Sequence, residues 1–139
     1  MAQILKKSGW NPDHRIYYCA NRIDDGYELG LALLRNFEVL PHVILCAYDM
    51  VGLGILGALH EAGVVVGKEV EVLAVSTGPQ RLLARSCPPM TVVDLRVKET
   101  MERCLTMAID LASGRQSGPR TQLLQPEIIY RASAPMRHV

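Results

Sequence analysis

Short unbroken apolar runs alternate with amphipathic ones along most of the chain, and this alternation predicts a strand–helix repeat. Arg15-Ile-Tyr-Tyr-Cys19 reads as a strand. Tyr27 to Phe37 reads as a helix, with Asp24 or Asp25 available as its cap. Pro41 breaks the chain before Val43-Ile-Leu-Cys-Ala47, whose continuous apolar character predicts a strand buried on both faces. Asp49 is placed to cap the next helix and Gly63 to end it, with Val51, Ile55, Ala58, Leu59 and Ala62 on one helical face. Val70 to Val75 is a third strand, Gln80 to Arg85 a short helix stopped by Pro88-Pro89, and Met90 to Val93 a fourth strand. A long helix is expected from Leu95 to Ser113, closed by Gly114 and carrying an apolar stripe of Val97, Met101, Cys104, Leu105, Ala108, Leu111 and Ala112. A polar turn with Gly118 and Pro119 then leads into Leu123-Leu124 and Ile128-Ile129-Tyr130.

Repeated strand–helix units of this length imply an α/β fold, a parallel sheet flanked by helices on both faces. Such sheets cross over right-handedly and bind ligands at the carboxyl ends of their strands. One rim is thereby expected to gather Ala20 to Asp25, Tyr48-Asp49 and Ser76 to Pro79.

Length and charge narrow the function. The 139 residues suit one domain. Trp10 and Phe37 join five tyrosines as the aromatics, so the core must be aliphatic. The net charge is +1, and the basic clusters Lys6-Lys7 and Arg137-His138 are too small for a nucleic-acid face, so DNA binding would have to come from elsewhere. Cys19, Cys46, Cys87 and Cys104 form no CxxC pair and read as reduced structural residues, which suits the cytoplasm. Met1 to Asn11 lacks the apolar core of a secretion signal, and Val43 to Val66 is too interrupted by Asp49, His60 and Glu61 to span a membrane. His14, His42, His60 and His138 are dispersed without metal-ligand spacing, and no nucleophile–base constellation is recognisable. Neither an enzyme nor a bound cofactor is expected.

Gly52-Leu-Gly54-Ile-Leu-Gly57 matches the Gly-x-Gly-x-x-Gly spacing of dinucleotide loops. The first glycine should sit in the turn at the strand's end, yet Tyr48-Asp-Met-Val51 intervenes, and the following strand ends in Ala74-Val75-Ser76 without a ribose-binding acid. Asp49 would also set a negative charge beside a diphosphate. The spacing therefore favours glycines inside the helix that let it pack closely on the sheet, against a cost of about 1 kcal/mol each relative to alanine.

Four segments carry a family resemblance. Leu45-Cys-Ala-Tyr-Asp49-Met-Val-Gly-Leu-Gly54, running on to Ala58-Leu59-His-Glu61-Ala-Gly63, resembles the segment around the Asn-Asp pair of the LacI/GalR regulators. Gly67-Lys-Glu-Val70-Glu-Val72 and Pro88-Pro-Met-Thr-Val-Val93 are similar to that family's entries into its next two strands. Leu124-x-Pro126-x-Ile-Ile-Tyr-Arg131-x-Ser133 resembles its closing motif. The four stand in the family's order and cover nearly the whole chain from Leu5.

The resemblance implies one lobe of a type I periplasmic-binding-protein-like fold. Residues 1–139 would form a single effector-sensing and dimerisation lobe of a transcriptional regulator, with the amino-terminal lobe and the helix-turn-helix headpiece absent. It implies no catalysis, no cofactor, and a homodimer or higher oligomer that uses the helix at Tyr27 to Phe37 and the one after Asp49. Asp49 matches the aspartate of the pair, while Tyr48 replaces the asparagine. Ser76 stands where many members carry an aspartate, and Asn21 and Arg22 lie near a further contact position. Without that asparagine and aspartate, bidentate hydroxyl recognition is lost, so a purine-like, aromatic or acidic effector is as well supported as a sugar. Arg22 also fits a solvated rim residue and Ser76 a plain loop residue. Two rival readings are a solute-binding module of a transporter and a nicotinamide-binding enzyme fragment. By the same resemblance the long helix from Leu95 belongs to the opposite lobe, which leaves its stripe facing water and predicts association between chains.

Overall fold

In the computed structural model, residues 16–78, 80–115 and 121–136 are described. Arg15, Lys6-Lys7, Trp10, His14, Pro79, Gly118, Pro119 and Arg137-His138 lie outside them. The elements run α1 (Ile23–Asn36), β1 (Val43–Cys46), α2 (Asp49–Glu61), β2 (Glu71–Ser76), α3 (Gln80–Leu83), β3 (Thr91–Asp94), α4 (Val97–Ala112) and β4 (Glu127–Ile129). The strands form one sheet in the order β1-β2-β3-β4. β1 to β3 are parallel and β4 is antiparallel to β3, so the α/β class holds while the last strand reverses. No helix among the described residues is long and apolar enough to cross a membrane.

The core lies between α2 and the sheet. Along β2 every second residue, Val72, Ala74 and Ser76, is fully buried. Ile55, Leu56 and Leu59 of α2 pack there with Cys46, Met90, Leu83 and Val92. α2 is apolar around most of its circumference because α1 covers its other side. That contact is made by small residues. A methyl group on Gly26 would come within 2.8 Å of Val51 Cα, and one on Gly30 within 2.7 Å of Ala58 Cβ. One on Gly54 would strike Ile23 O and Tyr27 N and approach Gly26 C at 2.8 Å. α2 ends in a Schellman turn: Gly63 takes φ +76°, and Val64 N–H donates to Leu59 O over 3.0 Å.

Three expectations are corrected. Residues 16–20 form no strand; they find no ladder partner among the described residues, and Tyr18 projects into solvent. β1 is buried on one face only, because Val43 and Leu45 point away from α2 and stay about half exposed. Asp24 and Asp25 lie within the first turn of α1, whose cap position is Arg22 and carries no side-chain cap bond. Their charges still favour the helix through its dipole.

The carboxy-terminal motif closes the sheet through side chains. Ser133 Oγ donates to Val72 O (2.6 Å) and accepts from Thr91 N–H (2.8 Å). Thr91 Oγ1 contacts the backbone at Arg131 and Ala134, and Arg131 Nη1 donates to Met90 O (2.6 Å). The Arg131-x-Ser133 pattern thus ties β2 to β3.

Candidate functional site

The parallel register sets the rim. Cys46 pairs with Ala74, so the residues just beyond them, Tyr48-Asp49 and Ser76, emerge side by side at the carboxyl ends of β1 and β2. Asp49 is expected to cap its own helix, but the cap position is Tyr48 and no side chain caps α2. Asp49, first residue of α2, instead turns its carboxylate across to the next strand. Ser76 Oγ–H donates to Asp49 Oδ2 over 2.8 Å, and Gly78 N–H donates to the same oxygen over 3.2 Å. A bond to another element replaces the local cap, and it satisfies the hydroxyl proton of the fully buried Ser76.

Asp49 is itself 5% exposed. Oδ1 makes no hydrogen bond among the described residues, and no buried side-chain oxygen there lacks a partner. Oδ1 therefore opens to solvent as an acceptor, beside the half-exposed ring of Tyr48. Ser76 is the last residue of β2 rather than a loop residue.

Asn21 and Arg22 are exposed at the entry to α1. Arg22 pairs with Asp25, and this guanidinium hydrogen bond holds the Asp25 carboxyl below its usual range. No bond joins Asn21 or Arg22 to Tyr48, Asp49 or Ser76 among the described residues. Gly78 lies within the rim segment expected from the sequence, but its N–H as a donor to Asp49 was not expected, since a backbone donor leaves no side-chain signal. Nearby, burial pushes the Cys46 thiol up to about 12, with Cys19 adding to the effect. All four cysteines are free; Cys46 is buried, whereas Cys19, Cys87 and Cys104 are exposed. Among the described residues no group of acids, histidines and cysteines is arranged to hold a metal.

Gly52 and Gly54 of α2 are not presented to a ligand. Gly54 is roofed by the backbone of α1, and Gly52 faces Met90 and Ala74. A pyrophosphate has no approach to either.

The model of the periplasmic binding protein-like domain matches residues 1–134. The chain is similar to the HTH-type transcriptional regulator GanR of Bacillus subtilis, at 22% identity over 87% of this chain and 37% of that protein. It is similar to the HTH-type transcriptional repressor PurR of Mannheimia succiniciproducens, at 26% over 95% of this chain and 37% of that protein. The chain spans about a third of the length of these relatives. Among solved structures it superposes on a LacI family transcription regulator from Clostridium acetobutylicum with a TM-score of 0.84, at 22% identity over 93% of this chain and 48% of that one. The transcriptional regulator CelR–cellobiose complex gives 0.78, at 22% over 96% of this chain and 40% of that one. At these identities the two structures establish the fold.

Proposed function

The chain belongs to the periplasmic binding protein-like domain family, and from that premise we propose that it is the effector-sensing lobe of a LacI-type transcriptional regulator, not an enzyme. The rim of Tyr48, Asp49 and Ser76, with Asn21 and Arg22 at its edge, forms half of an effector cleft. The effector is a small molecule with hydroxyl or amine hydrogens to donate, a sugar or a purine-like base. Binding favours one lobe arrangement over another and so shifts the regulator between DNA-competent and incompetent forms. DNA contact falls to a headpiece outside these 139 residues. The protein acts in the cytoplasm as a homodimer or higher oligomer.

One observation carries this reading: a nearly buried carboxylate fixed on one oxygen and open on the other, at the carboxyl ends of two parallel strands. The natural polypeptide containing this sequence should be titrated calorimetrically with a panel of mono- and disaccharides and purine bases. Asp49→Asn, nearly isosteric, exchanges a charge-assisted bond for a neutral one and should weaken the best ligand by about tenfold or more. A panel without a binder, or equal binding by Asp49→Asn, sinks the proposal.

A further inference from the structure

We propose that Asp94 is a second, specificity-determining carboxylate of the rim, and that with Asp49 it selects a ligand carrying hydrogen-bond donors at two separate points. This rests on the effector reading of the rim and goes beyond it by naming what the ligand must offer. Asp94 is the last residue of β3, and the parallel register sets it beside Ser76, the last residue of β2. Residues paired across neighbouring strands project from the same face of a sheet, as do alternate residues along one strand. Val92, two residues before Asp94, is fully buried in the core against α2, so Asp94 stands on the face that carries Ser76. Ser76 Oγ–H in turn donates to Asp49 Oδ2 over 2.8 Å. Asp49, Ser76 and Asp94 therefore form one row across the carboxyl ends of three neighbouring strands.

Each of the two carboxylates is held on one oxygen. Asp94 Oδ1 accepts the Arg96 N–H over 2.8 Å, in a turn that sets Arg96 at φ +53°. Asp94 Oδ2 makes no hydrogen bond among the described residues, and no buried side-chain oxygen there lacks a partner, so it opens to solvent as Asp49 Oδ1 does. Neither acid has an ion pair among the described residues: Arg96 turns its guanidinium to Glu99, and Arg22 to Asp25. Asp49 and Asp94 lie two strand spacings apart, about 10 Å between their backbones. The Ser76 proton between them is already committed to Asp49. An ionised carboxylate only accepts, so the row offers acceptors at two points and no free donor. A ligand that covers both must donate at both, as the hydroxyls of a saccharide or an ammonium group can. A purine-like base carries ring-nitrogen lone pairs along much of its edge and would set one acid against an acceptor. Glu127, the partner of Asp94 on β4, adds a third acid at this end of the sheet, so an anionic ligand is repelled. The row thus selects a polyhydroxylated or amine-bearing effector.

Calorimetric titration of the natural polypeptide with glucose, galactose, cellobiose, glucosamine, hypoxanthine and gluconate tests the selection. A saccharide should bind, with hypoxanthine and gluconate weaker by about tenfold or more. Asp94→Asn keeps an oxygen for the Arg96 N–H but turns a donor towards the ligand. It should weaken the bound saccharide by about tenfold or more while leaving the urea midpoint unchanged. Asp94→Ser, which also keeps an acceptor for that N–H, should do the same. Among singly deoxygenated forms of the saccharide, one should bind wild type and Asp94→Asn equally and still distinguish Asp49→Asn. If Asp49→Asn weakens binding and Asp94→Asn does not, this proposal falls and the effector reading stands. Tightest binding by hypoxanthine or gluconate, sensitive to Asp49→Asn, has the same meaning. If neither substitution changes the affinity, or none of these ligands binds, both fall.

Discussion

Adding one methyl group at Gly54 tests how α1 and α2 are joined. The new carbon would strike Ile23 O and Tyr27 N and lie 2.8 Å from Gly26 C. All three are backbone atoms of the first turn of α1, so no side-chain rotation relieves the clash. Non-bonded carbons settle at about 3.5 Å or beyond, so the helices must part by the order of 1 Å. That movement also unseats Gly26 from Val51 and Gly30 from Ala58. Overpacking of this kind costs about 1–3 kcal/mol and occasionally more, while alanine regains about 1 kcal/mol of helix propensity. A clash with rigid backbone belongs at the upper end, so Gly54→Ala should lose about 2 kcal/mol. Gly57→Ala is the control. Its methyl group would rest 3.6 Å from Tyr27 Cδ2, an ordinary contact, so propensity should prevail and stability rise by about 0.5–1 kcal/mol. Urea unfolding followed by far-ultraviolet circular dichroism would read the two midpoints on opposite sides of wild type. A Gly54→Ala protein as stable as wild type would refute the close-packed helix pair.

Three further substitutions probe single interactions. Ser133→Ala strips both Val72 O and the Thr91 N–H of a buried partner and should cost about 2–3 kcal/mol in the same unfolding assay; a loss under about 0.5 kcal/mol would mean that water replaces the hydroxyl. Ser76→Ala leaves Asp49 Oδ2 with only the Gly78 N–H and should cost about 2 kcal/mol at neutral pH. An unchanged midpoint would show that the serine does not hold the carboxylate. Burial pushes the Cys46 thiol from 9.0 up to about 12, so the folded chain keeps a proton that the unfolded chain releases. This contribution is intact below about pH 9 and is lost as pH rises towards about 12, by about 1.4 kcal/mol per unit relative to Cys46→Ala. Parallel pH curves for the two proteins would refute it, as would alkylation of native Cys46 at the rate of Cys19.

The elements that sequence reasoning located well are those whose signal is local. Val51, Ile55, Ala58 and Leu59 recur at helical spacing and are all buried, Ala62 of the same expected face is exposed at the cap position, and Gly63 stops α2 where an αL residue is needed. The stripe of α4 was legible too, including its exposure. The failures share a cause: each depends on a partner distant in sequence. An unbroken apolar run suggested two buried faces for β1, but whether Val43 and Leu45 are covered depends on what lies across the sheet. Asp49 at the start of an apolar helix has the local signature of a cap, and its carboxylate is instead claimed by Ser76 and Gly78, 27 and 29 residues later. The closing Arg131-x-Ser133 was visible as a pattern, yet its work of bridging Val72 and Thr91 became visible only in three dimensions.

The position of Asp49 joins stability to the proposed sensing role. An exposed carboxylate would have to be desolvated and oriented by each arriving ligand, a cost that reduces affinity. Here folding has already fixed Oδ2 between a buried hydroxyl and a backbone N–H, so in the proposed role a ligand donor would meet Oδ1 in a set direction. The same two bonds attach the carboxylate to the end of β2 and to the loop at Gly78. In the proposed sensing role, a ligand proton on Oδ1 would draw electron density from Oδ2 and weaken its hold on Ser76 and Gly78. In that role, occupancy of the rim would reach the segment leading into α3 through Gly78, which already holds the Asp49 carboxylate.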